Sequence, residues 1–112
     1  MFCVRGATTV TQNEKNEILN ATAEMIEFII KHNDLEISDI IQIQFTMTKD
    51  LDAVYPAVAA RQIGIIEADL MCTQELYIAG SLEKCIRCAV LCDGEKKQKD
   101  VKHVYLEGAK GL

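Results

Sequence analysis

The sequence predicts a single α+β domain, residues 1–112, in which a mixed β-sheet packs against helices. Three observations support this fold class. Segments with apolar residues at every second position alternate with a long segment whose apolar residues recur every three or four positions. Turn-forming residues, above all glycine, separate these segments, and the chain contains no internal repeat. The length of 112 residues suits one domain with a modest core, which assembly into an oligomer would help to stabilise.

The N-terminal part contains the first strand and the longest helix. A short strand, Cys3–Arg5, ends at Gly6, and Thr11–Glu14 has the sequence of a helix-capping box. The helix predicted from Glu14 to His32 carries mainly apolar side chains on one face, which we expect to pack on the sheet. These residues are Ile18, Leu19, Thr22, Met25, Ile26, Ile29 and Ile30.

The middle of the chain is predicted to form two strands and a short helix. Residues Ile40–Thr48 alternate between apolar side chains and Gln or Thr, which is typical of a strand with one buried face. Pro56 suits the first turn of a short helix, and Gly64 suits the position after its end. A third strand is predicted at Ile65–Cys72.

The C-terminal part is predicted to contain a fourth strand and a last helix. A turn at Ala79–Ser81 precedes the strand Lys84–Cys92, which ends at Asp93 and Gly94. Apolar spacing then predicts a helix at Lys99–Leu106. The predicted order of elements is β, α, β, α, β, β, α.

Arg87 is the most informative residue, because it lies inside the otherwise apolar fourth strand. Its guanidinium stays charged, so burial without a partner would strongly destabilise the fold. Strand alternation puts Cys85, Arg87 and Ala89 on one face, and neither face looks suited to water. Three interpretations are open at this point: Arg87 forms a structural ion pair, its charge reaches the edge of the sheet, or it binds an anionic ligand.

The five cysteines are predicted to be reduced thiols. Cys85, Cys88 and Cys92 have C-x2-C-x3-C spacing, but on an extended strand the first two point to opposite faces and cannot bind one metal ion. An odd count of cysteines, without a secretory leader, also argues against structural disulfides.

Charge and hydropathy limit the partners. The net charge of −5 argues against nucleic acid or an anionic membrane as the main partner, because only the short run Lys96–Lys99 is basic. No run of about 18 apolar residues occurs that could span a membrane. We therefore predict a soluble, cytoplasmic protein.

Four polar side chains are candidates for a common site. Arg5 ends the first strand and Glu75 follows the third, while Arg87 lies in the fourth strand and Tyr105 on the apolar side of the last helix. No serine or cysteine has an evident histidine base, and the sequence lacks a Gly-rich phosphate loop and a cluster of metal ligands. Two cations and one anion favour a small organic dianion, with stabilisation of charge that develops in a reaction without a covalent enzyme intermediate.

Five blocks of sequence, in this order, carry a resemblance to a known family. They are Arg5–Val10, Asp52–Ala57 with Arg61, Cys72–Glu75, Lys84–Arg87 and His103–Glu107. Together they span nearly the whole chain and resemble the monofunctional AroH-class chorismate mutases of the Bacillus type. The resemblance implies a pseudo α/β-barrel homotrimer with active sites between subunits. It also implies the pericyclic rearrangement of chorismate to prephenate, toward phenylalanine and tyrosine, without a cofactor or metal.

The resemblance also implies roles for the four candidate residues. Arg87 would donate to the ether oxygen and a carboxylate of chorismate, and Glu75 would accept from the ring hydroxyl. Arg5 and Tyr105 would bind carboxylates. Two alternatives remain open: Glu75 only pairs with Arg87, and Tyr105 is a core residue.

Further residues are expected around this pocket. By the same resemblance, Cys72 and Gln74 would line it, and the neighbouring subunit would close it with Tyr55, Ala57 and Arg61. Alternatively, Arg61 is only an exposed helix residue with no role in the pocket.

The chain departs from the family pattern at two places. The family often has a lysine where this chain has Val58, and it often continues beyond the position of Leu112 with a further arginine and a mobile tail. We therefore expect weaker substrate capture and a raised KM with the chemistry intact.

Two other functions remain open from the sequence. A small trimeric imine or enamine deaminase has a similar outline and also places an arginine against a carboxylate. A non-catalytic trimeric sensor of aromatic-pathway acids would bind without turnover, and Val58 and the short tail keep this hypothesis open.

Overall fold

The computed structural model describes the whole chain, Met1–Leu112. It contains one five-stranded mixed sheet and two α-helices, so the predicted α+β class is confirmed. The strands are β1 (Phe2–Thr9), β2 (Ile40–Met47), β3 (Asp69–Gln74), β4 (Cys85–Cys92) and β5 (Val104–Tyr105), and the helices are α1 (Lys15–His32) and α2 (Ala57–Gln62). Neither helix is long and apolar enough to cross a membrane.

Strand β4 lies in the middle of the sheet, whose strand order is β3-β2-β4-β1-β5. It pairs antiparallel with β1 on one side and with β2 on the other. The outer pairs, β2 with β3 and β1 with β5, are parallel. Arg87 is therefore central, with Ala7 of β1 and Thr46 of β2 directly opposite it.

One face of the sheet is covered by α1. Ile18, Met25, Ile26 and Ile29 of this helix are completely buried, as the spacing predicts. Gly6 permits the close approach, because a Cβ there would lie 2.8 Å from Cδ1 of Ile29. Helix α2 packs on the same side, and the main core lies between the helices and this face.

The opposite face of the sheet carries no α-helix and is largely open in the single chain. Only the 3₁₀ turn Glu107–Ala109 covers one end of it, where Ala109 packs on Ala7 and Cys85. The expectation that neither face of β4 meets water is wrong for the single chain, because Arg87 points to the open face and its side chain is 44% exposed. Cys88 packs in the main core instead, which confirms that Cys85 and Cys88 point in opposite directions.

The predicted helix at Lys99–Leu106 is wrong. The segment forms a 3₁₀ turn at Gln98–Asp100 and then β5. The physical reason is that β1 needs hydrogen-bond partners along its outer edge, and this segment supplies them. The backbone N–H of Leu106, for example, donates to the carbonyl of Ala7 at 2.9 Å.

The capping box at Thr11–Glu14 is also wrong. Helix α1 begins one residue later than predicted, at Lys15, and Glu14 is its N-cap, accepting from the backbone N–H of Glu17 at 2.7 Å. The hydroxyl of Thr11 instead donates to the Glu17 carboxylate at 2.6 Å. This bond is the main reason why the pKa of Glu17 is lowered.

Three strand details differ from the prediction. Strand β1 continues through Gly6 to Thr9, because β4 pairs with it over that whole length. Strand β3 is Asp69–Gln74 rather than Ile65–Cys72, since only these residues align with β2. Strand β2 has an irregular register at Ile41, which leaves this side chain 37% exposed although it belongs to the apolar alternation.

Two predicted loop features are confirmed. Helix α2 follows Pro56 and ends before Gly64, whose φ of 102° is unfavourable for other residues. The turn at Ala79–Ser81 is present, with Gly80 at a φ of 82°.

Candidate active site

A cleft of about 190 Å³ opens on the uncovered face of the sheet. All four polar residues that the sequence suggests could meet line it, namely Arg5, Glu75, Arg87 and Tyr105, together with Gln44 and Thr46 of β2. The structure therefore brings residues that are distant in sequence into one site.

Strand register explains why these side chains meet. Ala89 of β4 lies opposite Arg5 on β1 and opposite Gln44 on β2, so all three point to the same face. Arg87 is two residues before Ala89 and points the same way. Because the methyl group of Ala89 is small, space remains between the longer side chains around it. This space is the cleft.

Arg87 meets a carboxylate of its own chain without being fully paired by it. Its Nη1 nitrogen lies 3.7 Å from Oε1 of Glu75, which is beyond hydrogen-bonding distance. The two side chains are 44% and 24% exposed, and ion pairs of this kind contribute about 0–1 kcal/mol. The guanidinium N–H groups therefore stay available to a ligand in the adjoining cleft.

Glu75 is held from two sides. Its backbone N–H donates to the carbonyl of Met47 at 2.9 Å, which continues the pairing of β3 with β2. The hydroxyl of Thr46 donates to Oε1 of its carboxylate at 2.6 Å. The second oxygen, Oε2, has no partner in the chain and can accept from a ligand hydroxyl.

The cleft is suited to an anion and has no activated nucleophile. Two guanidinium groups and one carboxylate leave a net positive charge. Cys88 lines the cleft, but burial raises the pKa of its thiol to about 12, and its sulfur lies 3.9 Å from that of Met25 in the core. What the site can supply is charge, hydrogen bonds and shape.

The side chains of Cys72 and Gln74 are not in this cleft. Cys72 lies opposite Phe45, a fully buried core residue, so its side chain points to the helix-covered face. Both residues line another groove, of about 270 Å³, at the β2–β3 edge. Tyr55 lines that groove too, and its side chain is 70% exposed.

In the single chain, Ala57 and Arg61 also lie away from the cleft. Both lie in α2, which packs on the α1 side of the sheet. Ala57 is 4% exposed, whereas Arg61 is exposed. A contribution of these residues to a cleft therefore requires another subunit.

Sequence reasoning missed two residues that support the site, Thr46 and His103. A signal for Thr46 was present, since the Gln and Thr face of β2 needs polar neighbours. His103 was hidden by the wrong helix prediction. Its Nδ1 accepts the backbone N–H of Arg5 at 2.9 Å, and burial, followed by the charge of Arg5, lowers the pKa of His103.

Comparisons with known proteins identify the family of the chain. The whole chain, residues 1–112, matches the family model of chorismate mutase type I. It is 39% identical over 105 residues to the chorismate mutase AroH of Bacillus subtilis, which covers 93% of this chain and 83% of that protein. For the chorismate mutase AroH of Thermus thermophilus, the identity is 36% over 107 residues, covering 95% and 88%.

The chain also matches a solved structure of a chorismate mutase. The chorismate mutase from Clostridium thermocellum superposes on this chain with a TM-score of 0.98, with 49% sequence identity over the full length of both chains. From the match over all residues and these similarities, the chain belongs to the type I chorismate mutase family.

Proposed function

We propose that the cleft beside Arg87 is where this chain, a chorismate mutase, isomerises chorismate to prephenate. The observation that carries the proposal is the geometry of Arg87, whose guanidinium faces a cavity and is only loosely paired, at 3.7 Å, with Glu75. A structural ion pair would not need the cavity. A site for a dianion needs both the free N–H groups and the space.

The reaction needs charge and conformational restriction rather than proton transfer. In the rearrangement, the C–O bond of the enolpyruvyl ether breaks while a C–C bond forms, and negative charge grows on the ether oxygen. Arg87 donates to this oxygen, so its interaction is strongest in the transition state. Binding of the folded substrate conformer removes much of the entropic barrier.

The other cleft residues hold the substrate. Arg5 and Tyr105 bind its carboxylates, and Oε2 of Glu75 accepts from the ring hydroxyl. The bond from Thr46 occupies the other oxygen of Glu75. This division of roles uses every charged group that lines the cleft.

The active assembly is a homotrimer in which the neighbouring subunit closes the cleft. Two observations support this. The sheet face that bears the cleft is uncovered in the single chain, and Tyr55 is 70% exposed although it is aromatic. Tyr55, Ala57 and Arg61 of the neighbour complete the site.

The protein acts in the cytoplasm, in the biosynthesis of phenylalanine and tyrosine. The five free cysteines fit a reducing compartment.

Incubation with chorismate, followed by its loss of ultraviolet absorbance and by chromatography of the product, tests the proposal. We expect saturable conversion to prephenate. Tight binding of chorismate without turnover would favour a sensor, and release of ammonia from imine substrates without mutase activity would favour a deaminase. Either result would overturn the proposal.

A further inference from the structure

The outer edge of β1 is closed partly by side chains instead of a full strand. Strand β5 pairs with β1 only at Gly6 and Ala7. Nearer the start of β1, the side-chain amide of Gln98 forms hydrogen bonds with both backbone groups of Cys3. Its Oε1 accepts from the N–H of Cys3 at 2.9 Å, and its Nε2 donates to the carbonyl of Cys3 at 2.6 Å. Between them, Nδ1 of His103 accepts the backbone N–H of Arg5 at 2.9 Å.

This last bond fixes the state of the imidazole. A backbone N–H can only donate, so Nδ1 of His103 must be unprotonated and the ring proton must be on Nε2. The bond also links two elements of the cleft. Arg5 lines the cleft from β1, and Tyr105, two residues after His103, lines it from β5.

We propose that neutral His103 is a positioning residue, which holds Arg5 and Tyr105 in register so that both can bind a carboxylate of the substrate. The inference rests on the proposed roles of these two residues. His103 itself lies beside the backbone of Arg5 and is not among the residues that line the cleft.

Protonation of His103 breaks this arrangement. A proton on Nδ1 would face the N–H of Arg5, so the bond is lost as the ring becomes charged. The charged group that faces the ring from β1 is Arg5, which disfavours the cation. On the segment of His103 itself, the ring of Tyr105 lies 6.5 Å away between centroids. At the end of α1, the uncharged side chain of Asn33 forms hydrogen bonds with the backbone of Lys102, the residue before His103.

The direction of the pH effect follows. The pKa of His103 lies below its ordinary value of 6.5, so the neutral state and its bond predominate at pH 6.5 and above and are lost as the pH falls through the lowered pKa. We expect KM to rise on this acid side. Because no proton moves in the reaction, kcat at saturation should stay nearly flat.

The test compares His103→Ala with His103→Asn. The Asn oxygen is the same number of bonds from the backbone as Nδ1 and accepts a hydrogen bond at any pH. We expect His103→Ala to raise KM about tenfold, the effect of one lost hydrogen bond of about 1.4 kcal/mol, with kcat changed by less than about twofold. His103→Asn should restore KM and remove its rise toward about pH 5.

Three control variants separate the outcomes. His32→Asn changes an exposed histidine and should leave the pH profile of KM intact. Gln98→Ala removes the other side-chain bonds to β1, and an equal rise in KM would mean that general fraying of the edge, not His103, sets affinity. Arg5→Ala tests the underlying role. If it raises KM while His103→Ala does not, only the inference about His103 fails, and if Arg5→Ala leaves KM unchanged, the proposed role of Arg5 fails as well.

Discussion

At the scale of single residues, Arg87 combines a permanent charge with incomplete pairing. Replacing it with Ala removes the proposed donor to the ether oxygen, and we expect kcat to fall by about 10²–10³. Arg87→Lys should not fully restore the rate, because an ammonium group lacks the planar fork that can reach an ether oxygen and a carboxylate together. Steady-state kinetics with chorismate measures this, and turnover at the wild-type rate in Arg87→Ala would refute the assigned role.

The hydroxyl of Thr46 is the only side-chain donor of the chain that is within hydrogen-bonding distance of Glu75. Thr46→Val keeps the shape and removes the bond, so the carboxylate becomes less well oriented. We expect kcat/KM to fall about threefold to tenfold, corresponding to about 0.5–1.5 kcal/mol. Thr46→Ser keeps the hydroxyl and should behave like the wild type. Equal kinetics of the Val and Ser variants would show that this bond is irrelevant to turnover.

The sequence alone was enough to select the four cleft residues but not to orient every neighbour. Arg5, Glu75 and Arg87 are candidates because charged groups at strands need partners, whereas Tyr105 is a candidate from a predicted helix that is a strand in the structure. Cys72 was expected in the same pocket, but side-chain direction in a strand reverses at each residue. The pairing of β3 with β2 sets that direction, and no local pattern reveals the pairing.

At the scale of elements, the close contact of α1 with β1 depends on Gly6. Gly6→Ala would place a methyl group 2.8 Å from Cδ1 of Ile29. Such overpacking typically costs about 1–3 kcal/mol, and urea unfolding should show this loss of stability. Gly111→Ala is the matched control, since nothing lies within 4 Å of the added atom. If both variants unfold at the same urea concentration, the packing explanation is wrong.

Val58 in α2 bears on substrate capture. In the proposed trimer, α2 of one subunit closes the cleft of its neighbour, so Val58→Lys would add a positive charge near the mouth. We expect a lower KM and an increase in kcat/KM of up to about tenfold that weakens with added salt. Val58→Met is the uncharged control. A gain that does not depend on salt would contradict an electrostatic origin.

Local patterns predict the helices and the buried face of β2 well, because apolar periodicity is a local property. The segment from Lys99 to Leu106 is different. Its apolar spacing fits a helix, yet its backbone groups pair with Gly6 and Ala7 of β1, more than ninety residues earlier in the chain. Pairing with a strand that is distant in sequence overrides the local preference for a helix, and a short stretch of sequence does not reveal such pairing.

At the scale of the whole molecule, the uncovered face of the sheet is the surface on which the proposed trimer would assemble. Leu91 of β4 lies on this face, opposite Gln42 and Cys3, and is half-buried in the single chain. We expect light scattering to give the mass of a trimer for the wild type. Leu91→Asp should yield smaller species and lose most activity, because a buried unpaired charge is strongly unfavourable. A monomeric wild type with full activity would refute assembly as a requirement.

The bonds that close the edge of β1 also have a consequence for synthesis on the ribosome. They join residues 95 to 99 positions apart, so the first strand to leave the exit tunnel obtains its outer neighbours almost last. Until then, the nascent chain exposes an unpaired strand edge to other nascent chains and to chaperones.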